Sequence, residues 1–169
     1  KMLTRLIETG SLDTLLKFIQ KEDDAQVRKQ LLLTVLQTPG SVAALIKNNQ
    51  LDFAFTALMA EEDKAVRGEL LLALLAAPEA IAAVLEQGKL DQVLAFAKEH
   101  SDSMVHKKIL EQLFRTRNVV ARLLEDPGFD ALIAMVSEEQ DPHNRGELQA
   151  NLMMSSDMRK HVTANGKDE

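Results

Sequence analysis

The sequence predicts an all-α solenoid of about four three-helix units, and three observations carry that prediction. The first is an internal repeat of 39 residues. Leu6-Ile7-Glu8 followed by Leu12-Asp13 returns as Leu45-Ile46-Lys47 with Leu51-Asp52. It returns again as Val84-Leu85-Glu86 with Leu90-Asp91, and as Leu123-Leu124-Glu125 with Phe129-Asp130. No insertion or deletion breaks the register, and residues 12–50 match 51–89 at 13 of 39 positions. The second is three apolar-periodic segments in each unit, without sustained period-2 alternation or an Asn-Gly hairpin between apolar runs. The third is composition: Leu and Ala abound, Trp and Tyr are absent, and aromatics make up 4%, a balance that favours helices over sheets.

The units run approximately 12–50, 51–89, 90–128 and 129–166, preceded by a partial unit 1–11, and together form a single domain of some thirteen helices. In the second copy the segments are about Leu51–Ala60, Asp63–Ala76 and Glu79–Gln87. Each first segment opens on a recurrent Asp (Asp13, Asp52, Asp91, Asp130) at the favourable end of the helix dipole. Each middle segment starts at another (Asp24, Asp63, Asp102, Asp141), whose carboxylate can cap the free amides of the first turn. In the second copy Val66, Leu70, Leu71, Leu74 and Leu75 form a buried helical stripe, and Val27, Leu31 and Val35 are expected to point inward in the first. Pro39 and Pro78 break the chain before the third segment. That segment ends at Gly10, Asn49, Gly88 and Gly166, residues that accept a left-handed helix end, with Pro127-Gly128 closing the third copy. Helices this short are unstable alone in water, so each unit must bury its faces against its neighbours.

The composition also excludes chemistry. With no Cys, disulfides, thiolate catalysis and Cys-based metal sites are out of reach. Lys and Arg total 20 against 26 Asp and Glu, for a net charge of −6 and a pI near 5.3, which lacks the footprint of a nucleic-acid or anionic-membrane binder. No apolar run approaches the roughly 20 residues of a bilayer span. Residues Lys1 to Glu8 pattern as an amphipathic helix and not as a signal peptide; the compartment stays open, with the cytoplasm favoured.

The units resemble armadillo repeats and the related HEAT repeats over essentially the whole chain. The resemblance is carried by Gly-x-Leu-Asp-x-x-Leu (Gly10 to Leu16), by Asp-x-x-Val-Arg-x-x-Leu-Leu (Asp24 to Leu32), and by Leu-Ile-Glu-x-Gly (residues 6–10). It implies a right-handed superhelix whose longest helix, here the middle one, lines a concave groove for an extended peptide or partner protein. Nuclear-import armadillo proteins grip peptide backbones with a ladder of Trp and Asn. This chain has no Trp, and its long segments read Leu31-Leu32-Leu33-Thr34 and Leu70-Leu71-Leu72-Ala73, so that mechanism does not carry over. The fold leaves the function open.

Candidate chemistry resolves mostly into structure. His100, His106, His143 and His161 show no metal-binding spacing and read as structural or surface residues. Glu61-Glu62 and Glu138-Glu139 read as solvated turn charges, not a catalytic carboxylate pair. No nucleophile elbow and no phosphate-cradling Gly loop is present. The chain is therefore expected to be non-enzymatic, with no cofactor and no metal. Arg28, Arg67, His106 and Arg145 fall in one column, either a ladder for an acidic peptide or the fixings of adjacent units; the second reading is preferred. Lys107, Glu111 and Arg115 stand at i, i+4 and i+8, and are expected to form an alternating salt-bridged face. That face explains much of the local basic excess and argues against nucleic acid as a partner.

Subtracting the core columns leaves the expected groove: Gln30, Leu33, Thr34 and Gln37, then Glu69, Leu72, Ala73 and Ala76. Lys108, Glu111, Gln112 and Arg115 follow, then Glu147, Ala150, Asn151 and Met154. Leu33 and Leu72 are either a binding patch or more core. The polar Gln149-Ala150-Asn151 makes the last unit a cap with a frayed tail, whereas the first unit has none. The expected function is a protein-interaction scaffold for a peptide or protein partner, without a membrane. The alternative is an architectural segment that stacks or self-associates through its uncapped N-terminal end, or that belongs to a longer protein.

Overall fold

A computed structural model describes residues 2–99, 104–116, 119–125 and 128–165, and every regular element among them is helical. The helices are α1 (Met2–Thr9), α2 (Leu12–Ile19), α3 (Ala25–Gln37), α4 (Ser41–Lys47), α5 (Leu51–Met59), α6 (Lys64–Leu75) and α7 (Ala80–Glu86). They continue with α8 (Leu90–Lys98), α9 (Met104–Arg115), α10 (Val119–Glu125), α11 (Gly128–Glu138), α12 (Pro142–Met154) and α13 (Ser156–Asn165). The chain divides into two compact units, Lys1–Lys89 and Leu90–Glu169, with the division at the boundary between the second and third sequence copies.

The long helices begin where the recurrent Asp demands. Asp24 is extended (φ −76°, ψ 111°), and its Oδ1 accepts from the amides of Gln26 at 2.8 Å and Val27 at 3.1 Å. Asp63 caps α6 through the amides of Ala65 and Val66. Asp141 does the same for α12 through His143 and Asn144, with Pro142 in the first turn, where its missing amide costs nothing. Asp102 lies outside the described residues. At the other end of α3, Thr38 turns extended (ψ 124°) because the Pro39 ring excludes the α region for the residue before it. Ser41 then starts α4 fully buried, its hydroxyl donating to the carbonyls of Val35 and Thr38. Gly10, Asn49 and Gly88 take positive φ at the ends of the third-segment helices (69°, 54° and 65°), as those positions require. Gly166 and Pro127 lie outside the described residues.

In the first unit α3 packs beside α6, α2 beside α5, and α4 between α1 and α7. The core lies between these three rows and is built from Leu12, Leu16, Leu32, Leu45, Leu51, Leu70 and Leu74, each at most 2% exposed. Its short helices are held from outside as well. Lys17 and Lys89 sit over the rings of Phe53 and Phe55 at 4.6 and 5.5 Å, and Lys89 pairs with Asp52. In the second unit α9 packs beside α12, and α10 contacts both α11 and α13. Ile109, Leu110, Leu113, Val119 and Leu148 are fully buried there. No single helix among the described residues is long and apolar enough to cross a membrane.

Three expectations need correction. Val27 does not point inward: it is 44% exposed, while Val66, its equivalent one copy later, is 7% exposed. The reason is position, since α6 has α3 alongside it, whereas among the described residues no long helix lies against the Val27 side of α3. Glu61 and Glu139 are not solvated turn charges; each is 3% exposed. Lys107 does not complete a salt-bridged ladder along its own helix but reaches across to Glu147 on α12, because the side-by-side packing of α9 and α12 brings that carboxylate to it.

Candidate functional site

Two groups of residues stand apart from the core: a polar ladder buried between successive helices, and the outer faces of the long helices. The ladder starts at Arg28. Its Nε donates to Glu61 Oε1 at 2.5 Å, Nη2 to Glu61 Oε2 at 3.1 Å, and Nη1 to the backbone carbonyl of Glu22 at 2.6 Å. One planar guanidinium thus ties the carboxylate of the next copy to a carbonyl of the turn between its own α2 and α3, which a Lys cannot do. The hydrogen bonding of Arg28 to the Glu61 carboxylate is the chief reason its proton is held above its usual affinity, against the opposing effect of burial. In the second unit His106 takes the Arg position. Its Nδ1 lies 3.2 Å from Glu139 Oε2, and both side chains are buried. Arg145 Nη1 donates to the Glu139 carbonyl at 2.9 Å, as Arg28 does to Glu22. These basic side chains face inward and are occupied by carboxylates and carbonyls.

Two further pairs cross between neighbouring long helices: Lys29 with Glu69 at 2.7 Å, and Lys107 with Glu147. The second holds the Glu147 carboxyl below its ordinary range and the Lys107 ammonium above its own. The amides of Asn144 and His143 lower the pKa of Asp141 in the same way.

The expected groove residues lie on the accessible face. In the first unit Gln30, Thr34, Gln37, Glu69 and Ala76 are exposed, and Leu33, Leu72 and Ala73 are half-buried. In the second, Lys108, Arg115, Ala150 and Met154 are exposed, and Glu111, Gln112, Glu147 and Asn151 are half-buried. Leu33 and Leu72 therefore belong neither to the closed core nor to a fully open patch.

Each unit has a cleft at the carboxyl ends of its paired long helices. In the first it is about 500 Å3, lined by Leu36, Gln37, Thr38, Pro39, Ala73, Ala76 and Pro78 among others. In the second it is about 510 Å3, lined by Phe114, Arg115, Thr116, Val120, Asn151, Met154, Ser155, Ser156 and Asp157. The two occupy equivalent repeat positions: Gln37 matches Arg115, Ala73 matches Asn151, and Ala76 matches Met154. Six of the expected groove residues (Gln37, Ala73, Ala76, Arg115, Asn151 and Met154) thus line clefts. The sequence reading missed the hydroxyls of Thr38, Thr116 and Ser155 on the cleft walls; the signal was the break that ends each long segment. It preferred the basic column as the fixings of adjacent units but read the Glu column as solvated, and so did not name Glu61 and Glu139 as the partners of Arg28 and His106, although both columns recur at 39-residue spacing.

Among the described residues no group of three or more His, Asp or Glu side chains is placed to hold a metal ion. Comparison with protein-family models, curated proteins and solved structures finds no match for this chain.

Proposed function

We propose that this chain is a right-handed solenoid of armadillo-like repeats that acts as a non-catalytic interaction scaffold, with an extended peptide lying across the outer faces of its long helices. The observation that supports this reading best is the recurrence of a cleft of one size at one repeat position in both units. Each cleft has room for a side chain of an extended peptide. The first cleft, walled by Ala73, Ala76 and the two prolines, fits an aliphatic side chain. The second, with Arg115, Asn151 and Asp157, offers donors and acceptors to a polar side chain or a peptide backbone. A rigid helical surface lowers the ordering cost of holding such a ligand.

The test is selection from a displayed library of random linear peptides, followed by binding measurements on the selected sequences. Ala73→Arg fills the first cleft, and Gln37→Glu with Arg115→Glu alters both. The expected result is a loss of affinity of about tenfold or more in each variant, with the fold retained by circular dichroism. Peptides that bind all forms equally, or a library that yields no binder, would remove the groove as the site.

A further inference from the structure

The two clefts occupy one place in the repeat with different chemistry, and each lies wholly inside its own unit. Every lining residue of the second stands 78 positions, two repeats, after a lining residue of the first, so they differ in side chain and not in place. One wall of the first is Ala73, Ala76, Ala77 and Pro78, without a polar side-chain atom, and its one charged lining residue is Glu79. In the second the same positions hold Asn151, Met154, Ser155 and Ser156, and Gln37 of the opposite wall becomes Arg115. The carboxylate position is kept, as Asp157. Arg159 stands where the first unit has the buried Ile81, and its Nη2 donates to the carbonyl of Met154 at 3.4 Å, which brings a second guanidinium to that wall. The formal charge thus changes from −1, from Glu79, to +1, from Arg115 and Arg159 against Asp157.

The polar groups of the second cleft are also unused. Among the described residues the side chains of Arg115, Asn151, Ser155 and Ser156 have no hydrogen-bond partner, and no carboxylate, Asp157 included, forms an ion pair with Arg115. Elsewhere in the unit Lys107 is taken up by Glu147, and Arg145 donates to the Glu139 carbonyl. Thr116 is likewise occupied, its hydroxyl donating to the Gln112 carbonyl at 2.9 Å. A guanidinium can only donate, and the amide of Asn151 and the two serine hydroxyls can donate beside it. The buried Phe114 and Val120 line the same cleft, and apolar walls reduce the screening of a charge held there.

We propose that the cleft of the second unit receives an oxyanion, the carboxylate or phosphoryl group of an acidic side chain. Arg115 is its charge partner, and Asn151, Ser155 and Ser156 supply neutral donors. As a statement about peptides this rests on the scaffold reading above and deepens it: the ligand carries an acidic side chain at the second cleft and none at the first, where Glu79 repels it. The chemistry is charge-assisted hydrogen bonding to an arginine fork, which discriminates an ionised group from its neutral isostere.

Small probes test the site without a peptide. The isotope-labelled full chain is titrated at low salt with the N-methylamides of N-acetylglutamate, N-acetylphosphoserine and N-acetylglutamine, and amide, Arg115 Nε–H and Asn151 side-chain resonances are followed by NMR. Both acidic probes are expected to shift the Arg115 and Asn151 signals saturably, with dissociation constants on the order of 1–20 mM, and the glutamine probe to leave them in place. Arg115→Gln, which gives the second cleft the residue of the first, is expected to weaken acidic-probe binding by about tenfold, with the spectrum elsewhere unchanged. Tighter binding of the phosphoserine probe assigns the cleft to phosphorylated side chains; equal or tighter binding of the glutamate probe assigns it to unmodified acidic ones. Absence of saturable shifts with either acidic probe, equal response to the glutamine probe, or affinity indifferent to Arg115→Gln would overturn the proposal. None of these results depends on the peptide library: a library without binders removes the scaffold reading and leaves the oxyanion site, whereas silent probes remove the oxyanion site alone.

Discussion

Arg28→Ala offers the sharpest test of what the basic column does. The substitution removes three hydrogen bonds at once: two to the Glu61 carboxylate and one to the Glu22 carbonyl. Glu61 is left 3% exposed with its charge unpaired. Removing one partner of a buried pair costs about 3–5 kcal/mol; since the Arg28 side chain keeps 20% of its surface in water, about 2–4 kcal/mol is the expected loss here. With a urea m-value of about 2 kcal/mol/M, the unfolding midpoint falls by roughly 1–2 M. The paired variant Arg28→Met with Glu61→Leu is expected to recover most of that loss, because no buried charge remains. The assay is urea unfolding followed by circular dichroism at 222 nm. A shift equivalent to less than about 0.5 kcal/mol is what a solvent-facing, peptide-gripping arginine would give, and it would refute the structural role. So would a double variant no better than the single one.

Two further predictions follow the same physics. His106→Ala leaves the Glu139 carboxylate, 3% exposed, without its imidazole partner and is expected to cost about 1–3 kcal/mol; thermal melting measures it, and an unchanged midpoint contradicts the pairing. The lowered pKa values of Glu147 and Asp141 mean that the folded chain binds protons less readily than the unfolded one. Their contribution is present above the ordinary values of 4.5 and 3.8 and is lost as pH falls through the lowered ones. The urea midpoint is therefore expected to drop on acidification below that range, and less steeply in Glu147→Gln; parallel slopes for the two proteins would contradict it.

The local grammar of this chain was legible in its sequence. A recurrent Asp places a carboxylate over the first free amides of α3, α6 and α12, and the prolines and left-handed residues end what the Asp began. Such signals act over three or four residues of chain, so they survive in a one-dimensional reading. The outer face of the long helices was legible for a related reason: helical periodicity separates buried from accessible columns before any neighbour is known. Tertiary packing decided the rest. A column of Glu next to turns reads as solvated until a neighbouring helix brings an Arg or His over it, and nothing in the spacing within one copy tells Glu61 from an ordinary surface carboxylate. The same holds for Val27 and Val66: they are one residue type in one register, exposed in one copy and buried in the next. Periodicity determines which side of a helix a residue occupies. Burial depends on whether another helix lies against that side, and only the assembled chain contains that information.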